Sequence, residues 1–434
     1  MGSSEDITYI IGNALHQTAE HHESFEKLWT KKWKPLCEMR VYPFMFGTPQ
    51  DFEPVAQAII AKGLKPPYDW DEYASMFFPK AEELFKRAEE AEGKEEREKA
   101  AELFLRSSAL YRISRFPIPR SPKQRLAWQK NKEAFYRGAA LLPTPILPLQ
   151  IPHTHRSPSN PTTELSVIQA NLCLPSSSAA TPPPLVILLT GLDGYRTELG
   201  IWQPGFSAQG IATLVLEIPG TGDSPCTAQS APDAVDRFWD SVADWIGEQH
   251  SRGTIDKSRV VLWGFSTGGF YALRAAHTHP ALFKAVVSLG GGCDRMFAAD
   301  WLANADKREY PFDLCGALAA KFGYDPSGTD PAGRQRFVDE AYSKYSLVVD
   351  GTLDKPCCER VLLVNGELDE IFPIEDLWMA LQHGRAKEAR VVKGRKHMGE
   401  PESFRVVLRW IWGVLELEGD PMVLLGGLAR EVKY

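Results

Sequence analysis

Three polar residues at telling positions organise this chain: a serine between glycines, an aspartate just past a strand, and a histidine in a later loop. The serine belongs to RVVLWGFSTGGFYALR at 259–274, where Ser266 lies between Gly264 and Gly268 in a G-x-S-x-G pattern. A short apolar run precedes it and an Ala-rich segment follows, the layout of a strand that turns sharply into a helix. Such a turn holds the serine strained and exposed, and the small neighbours let the strand and helix backbones approach closely. A serine hydroxyl is a poor nucleophile at neutral pH and needs an adjacent base, itself oriented by an acid. RVLLVNGELD at 360–369 reads as a strand and loop that place Asp369 just past the strand's C-terminal end, with Glu367 and Glu370 as competitors for the same role. ARVVKGRKHMGEP at 389–401 reads as the last strand and its loop, carrying His397. Of the ten histidines only His383 and His397 follow Asp369, and His383 falls inside the intervening helix-loop segment. The chemistry indicated is acyl transfer through an acyl-serine.

The oxyanion of that reaction needs two backbone N–H donors, one from the residue after the nucleophile and one from the loop after the third strand. Thr267 supplies the first and Leu192, in TGLDGYR at 190–196, is best placed for the second. In the same loop Asp193 and Tyr195 are candidate substrate-binding residues; Asp193-Gly194 is also an ordinary turn signal, and Tyr195 and Arg196 could bind substrate or brace the lid. EIPGTGDS at 217–224 shapes the floor of the site; no G-K-[ST] follows its glycines, so it does not read as a phosphate loop.

The elements that must position these residues can be read in order. Residues 1–145 contain little strand pattern: helical spacing runs from Ile7 to Trp33, then over 52–63, 80–92, 94–114 and 124–140. Two short β-rich runs near 143–156 and 165–175 follow, separated from the next strand by the Ser- and Pro-rich loop 176–184. Strands at 185–190, 212–217, 259–263, 285–289, 360–365 and 389–392 then alternate with helical stretches, which predicts a largely parallel sheet with helices on both faces. Two hairpin strands plus these six fit the eight-stranded, mostly parallel sheet of an α/β-hydrolase fold with residues 146–434 as its catalytic domain. About 70 residues separate two of the strands, far more than an ordinary connection. That insertion, about 295–355, reads as a helical lid over the serine, joined by the helical N-terminal domain.

Composition bounds the remaining choices. The 434 residues are 44% hydrophobic and 24% charged, with 49 basic against 56 acidic side chains and a net charge of −7. Charges are dispersed, so no basic patch points to nucleic acid. The seven cysteines lack metal-type spacing and read as free thiols of a reducing compartment. No apolar run is long enough to span a membrane, and MGSSEDITYI lacks the basic and apolar regions of a secretory signal. The expectation is a cytoplasmic enzyme without metal or organic cofactor, acting on a small molecule.

GFSTGG, TGLDGYR, EIPGTGDSP, NGELDEIFP and KHMGEP together resemble FrsA-like α/β-hydrolases over about residues 65–415, most nearly the fungal serine hydrolases that shorten pigment polyketides. The resemblance implies a triad of Ser266, Asp369 and His397, a helical N-terminal domain over the pocket, and a homodimer. It also implies an apolar, polyketide-like substrate of secondary metabolism, cleaved at a C–C, ester or amide bond. Two alternatives stand beside hydrolysis: an acyltransferase or cyclase in which a substrate hydroxyl or amine replaces water, and a binding protein that has kept the fold.

Overall fold

Strands made only of apolar residues must be covered on both faces, and that requirement builds the molecule. The computed structural model describes residues 8–175, 181–325, 330–426 and Lys433. The loop read at 176–184, the first seven residues and most of the C-terminal tail therefore lie partly or wholly outside the described residues. The eight strands are β1 (Leu147–Pro152), β2 (Val167–Cys173), β3 (Leu185–Leu189), β4 (Ala212–Leu216), β5 (Val260–Phe265), β6 (Ala285–Leu289), β7 (Arg360–Gly366) and β8 (Glu388–Val392). They form one sheet in the order β1-β2-β4-β3-β5-β6-β7-β8. The β1–β2 and β2–β4 pairs are antiparallel and the remaining five parallel, as the strand pattern predicts. This is the α/β-hydrolase fold. No helix among the described residues is long and apolar enough to cross a membrane.

The two-residue period of the strands divides the core. Leu185, Ile187 and Leu262 join one cluster with the helices Ala234–Ser251 and Thr267–Thr278. Val186, Leu188, Val261 and Trp263 point the other way, against the helix Glu402–Leu415 with its Val407, Leu408, Ile411 and Trp412. The strand order reverses between β3 and β5, and a crevice at such a switch point is where open α/β sheets gather functional groups.

Helices Pro49–Lys62, Phe78–Glu92, Arg97–Arg115 and Pro122–Ala140 occupy the N-terminal third close to their expected places. Pro stands in the first turn of three of them, where its missing N–H costs nothing. Ser121 and Gln124 close a capping box at the start of the last. The helical spacing read from Ile7 to Trp33 does not become one helix. Its described part breaks into turns at Gly12–His16 and Glu20–His22, a helix Phe25–Leu28 and a wider π turn Trp29–Trp33. The cause is tertiary. This stretch lies along the β6–β7 insertion: Ala19 N–H donates to Lys307 O at 2.7 Å, and the rings of His22 and His21 reach the carbonyls of Arg308 (2.8 Å) and Tyr310 (3.2 Å). A continuous helix would spend those groups on itself. The insertion carries helices Ala299–Asn304, Leu314–Lys321 and Pro331–Tyr345, matching its sequence pattern.

Candidate active site

The turn after β5 has the geometry its glycines anticipate. Ser266 adopts φ 55° and ψ −123°, a strained conformation for a residue with a side chain. Its N–H donates to Leu289 O at 2.7 Å, tying the turn to the end of β6. A Cβ on Gly264 would run into the carbonyl of Gly268, and one on Gly268 into the carbonyl of Thr190. Both glycines are thus required by close backbone approach.

Three separate loops then bring their side chains together. His397 Nε2 lies 2.8 Å from Ser266 Oγ, and His397 Nδ1 lies 2.8 Å from Asp369 Oδ2. A carboxylate can only accept, so Nδ1 carries the proton and Nε2 is free to take one from the serine. Asp369 is fully buried, and its other oxygen accepts from the N–H groups of Ile371 (2.7 Å) and Phe372 (3.1 Å). Asn365, at the end of β7, completes the arrangement. Its Nδ2 donates to Asp369 Oδ2 at 2.7 Å, while its Oδ1 accepts from Gly366 N–H (2.8 Å) and Met398 N–H (3.0 Å), next to the histidine. One buried amide thus fixes acid and base loops together. The sequence reading passes over Asn365, though a polar residue ending an apolar strand is its visible signal. The competing carboxylates point elsewhere: Glu367 accepts from Gly394 N–H at 2.9 Å, and Glu370 pairs with Lys396.

More negative charge surrounds His397 than the triad alone supplies. Glu309, from the β6–β7 insertion, accepts from the His397 N–H at 3.3 Å and lies 3.9 Å from Lys32 Nζ. Burial would push the imidazolium pKa down, but the charge and hydrogen bond of Asp369, with Glu309 and Glu400, hold it above its ordinary value. Glu400 itself is pushed up to about 7, first by burial and then by Glu309, against the pull of His397. Glu400 lies in the KHMGEP motif, which gives it no role of its own. Glu309 is distant in the chain and carries no local pattern.

Leu192 and Thr267 are both buried, and neither backbone N–H has an acceptor among the described residues. A Cβ on Gly191, beside Leu192, would sit 3.3 Å from Ser266 Cβ, which places this loop against the serine. The side chains after Leu192 are already engaged. Asp193 accepts from Tyr42 Oη–H (2.6 Å) and Tyr310 Oη–H (3.0 Å). Tyr195 is buried under the Arg115 guanidinium, 3.6 Å from its ring centroid, with Trp128 edge-on at 5.0 Å. Arg196 braces the loop by pairing with Glu217 and Asp223, each at 2.7 Å. His277, in the last turn of the helix Thr267–Thr278, would favour that helix's dipole if it were charged. Burial instead lowers its pKa to about 4, so it is neutral there, with Nδ1 2.7 Å from Lys355 O. All seven cysteines are free and buried.

The fold is that of the α/β-hydrolase superfamily, and its strand ends bring a serine, a histidine and an aspartate into contact. A family model described as esterase FrsA-like matches residues 68–411, and the chain belongs to that family. It is 23% identical to esterase FrsA of Photobacterium profundum over 262 residues, 60% of this chain and 57% of the relative. Against esterase FrsA of Yersinia pestis the identity is 23% over 283 residues, 64% of this chain and 61% of the relative. The chain thus spans less than two thirds of the length of either relative, and both are bacterial. Among solved structures, 2,6-dihydroxy-pseudo-oxynicotine hydrolase superposes with a TM-score of 0.65 at 17% identity, covering 89% of this chain and 95% of that one. AbyA5 superposes with a TM-score of 0.59 at 21% identity, covering 80% and 92%. At these identities the likeness speaks to the fold.

Proposed function

We propose that this chain hydrolyses an acyl substrate through a covalent acyl-serine, with Ser266 as nucleophile, His397 as base and Asp369 as the orienting acid. The observation that carries the reading is the unbroken relay Ser266 Oγ–His397 Nε2–His397 Nδ1–Asp369 Oδ2, with both polar contacts at 2.8 Å. His397 takes the serine proton as Oγ attacks the carbonyl carbon. The N–H groups of Leu192 and Thr267 hold the oxyanion. His397 then protonates the leaving group, and water, deprotonated by the same imidazole, releases the acid and restores the serine.

The described residues of the N-terminal region and of the β6–β7 insertion together form the cap over this centre. An apolar, polyketide-like acyl group is part of the proposal, supported by the sequence resemblance to fungal secondary-metabolism hydrolases. A cytoplasmic homodimer is part of the same proposal, supported by the buried free thiols and by that resemblance. Ser266→Ala should abolish turnover of p-nitrophenyl esters and labelling by a fluorophosphonate while leaving the melting temperature near that of the parent. Turnover equal to the parent's would overturn the reading. Heavy-oxygen water separates hydrolysis from acyl transfer, because only hydrolysis puts label into the released acid.

A further inference from the structure

The loop that carries the proposed oxyanion donor is held from outside the sheet domain, at three points. Tyr42 of the N-terminal region and Tyr310 of the β6–β7 insertion both donate to the Asp193 carboxylate, at 2.6 and 3.0 Å. Arg115, at the end of the helix Arg97–Arg115, donates Nη1–H to the Asp193 carbonyl at 3.1 Å. Asp193 follows Leu192 directly, so these three contacts hold the residue next to the one whose N–H must meet the oxyanion. The two phenols come from segments that are themselves tied together: His21 lies 3.2 Å from the Tyr310 carbonyl and His22 2.8 Å from the Arg308 carbonyl. The residue before Tyr310 is Glu309, which reaches the backbone of His397 at 3.3 Å. Neighbouring residues of one cap segment therefore touch the oxyanion loop and the base loop.

We propose that Asp193 is a positioning residue: gripped by Tyr42 and Tyr310, it sets the Leu192 N–H and makes the oxyanion hole depend on docking of both parts of the cap. This rests on the serine-hydrolase reading above. The physical basis is that a donor stabilises a developing oxyanion only when it is held in place beforehand, so displacement of the loop weakens transition-state binding more than substrate binding. Loss of one direct oxyanion donor costs about 10²–10³ in kcat; loss of one phenol that steadies the donor's loop should cost about tenfold, and loss of both about a hundredfold.

The test uses the full chain, p-nitrophenyl hexanoate as substrate, hexanoate as product ligand and an alkyl trifluoromethyl ketone of matching length, which forms a tetrahedral oxyanion adduct with the serine. Y42F and Y310F keep both rings, so the packing stays. Each should lower kcat about tenfold and weaken the ketone by the same factor, with KM and hexanoate affinity within about twofold. Adding Y42F to D193A should cost nothing further, since the carboxylate it served is gone. The clamp is overturned if ketone affinity is unchanged, if the loss appears wholly in KM, or if Y42F and D193A penalties add in full. Should D193A fail to fold, the ketone series on the two Tyr→Phe variants decides alone. A parent protein that neither turns over the ester nor takes up a fluorophosphonate overturns the hydrolase reading and this proposal with it. A labelled, active parent whose Tyr→Phe variants behave like it overturns only the clamp.

Discussion

Asp369→Asn tests the identity of the acid, and the structure sets the size of its effect. The carboxylate receives four donors: Asn365 Nδ2 (2.7 Å) and His397 Nδ1 (2.8 Å) on Oδ2, and the N–H groups of Ile371 (2.7 Å) and Phe372 (3.1 Å) on Oδ1. An amide must present its NH2 to one of those pairs, whichever way it is turned. Turned toward the backbone pair, it opposes two main-chain donors. Turned toward the histidine, it forces the imidazole to hold its proton on Nε2, where it can no longer accept one from Ser266. Asn365 cannot turn to compensate, because its Oδ1 already accepts from Gly366 and Met398. Each buried donor left unpaired costs about 1–3 kcal/mol of stability. The wrong tautomer costs kcat about 10⁴-fold in the analogous triad of a serine protease, which is roughly 5 kcal/mol of barrier. Steady-state hydrolysis of p-nitrophenyl hexanoate, with urea unfolding alongside, measures both effects. A variant that keeps more than a tenth of the parent's kcat/KM would refute the assignment and return Glu367 or Glu370 to candidacy.

Further outcomes follow from the same geometry. Because Asp369, Glu309 and Glu400 hold the His397 pKa up against burial, the acid limb of kcat/KM should lie above pH ~6.5. Glu400→Gln removes one negative charge and should move that limb to lower pH; an unmoved limb refutes the coupling. Since burial raises Glu400 to about 7, its contribution to stability is fully present below the ordinary carboxyl range and is lost as pH rises through about 7. The Glu400→Gln protein should therefore gain melting temperature relative to its parent on going from pH 5 to pH 8. Gly268→Ala places a methyl group against the Thr190 carbonyl at a buried position. It should cost roughly 1–3 kcal/mol in urea unfolding by overpacking and lower kcat with it; parent-like stability and turnover would show that the elbow has slack.

The parts of the site visible in the sequence are those whose geometry is local. Gly264 and Gly268 announce a tight turn because backbone contact there tolerates no Cβ, and the ends of β7 and β8 announce Asp369 and His397 because strand ends present their loops to one edge of the sheet. The hidden residues act across the chain. Tyr42 meets Asp193 151 residues away and Tyr310 meets it across 117, with no periodicity to mark either. The Ile7–Trp33 pattern misleads for the same reason: its spacing suits a helix, but its polar groups find partners on residues 307–310, and those contacts outweigh a weak local preference. Asp193 and Tyr195 lie where a substrate-binding residue would lie by position. Only the fold shows that the first is held by two phenols and the second is packed beneath Arg115.

A division of labour emerges from these distances. The sheet domain supplies Ser266, His397, Asp369 and the Asn365 tie between them, all through contacts made at the ends of β5, β7 and β8. The N-terminal region and the β6–β7 insertion supply the groups that press on those contacts: Glu309 on the backbone of His397, and Tyr310 and Tyr42 on Asp193. Most described residues of the N-terminal region and of the insertion make no contact with the relay. The segment 307–310 is the exception. The carbonyls of Arg308 and Tyr310 are held by His22 and His21 while Glu309 and Tyr310 reach the backbone of His397 and the carboxylate of Asp193, so a change there should lower kcat, read against the parent in ester hydrolysis.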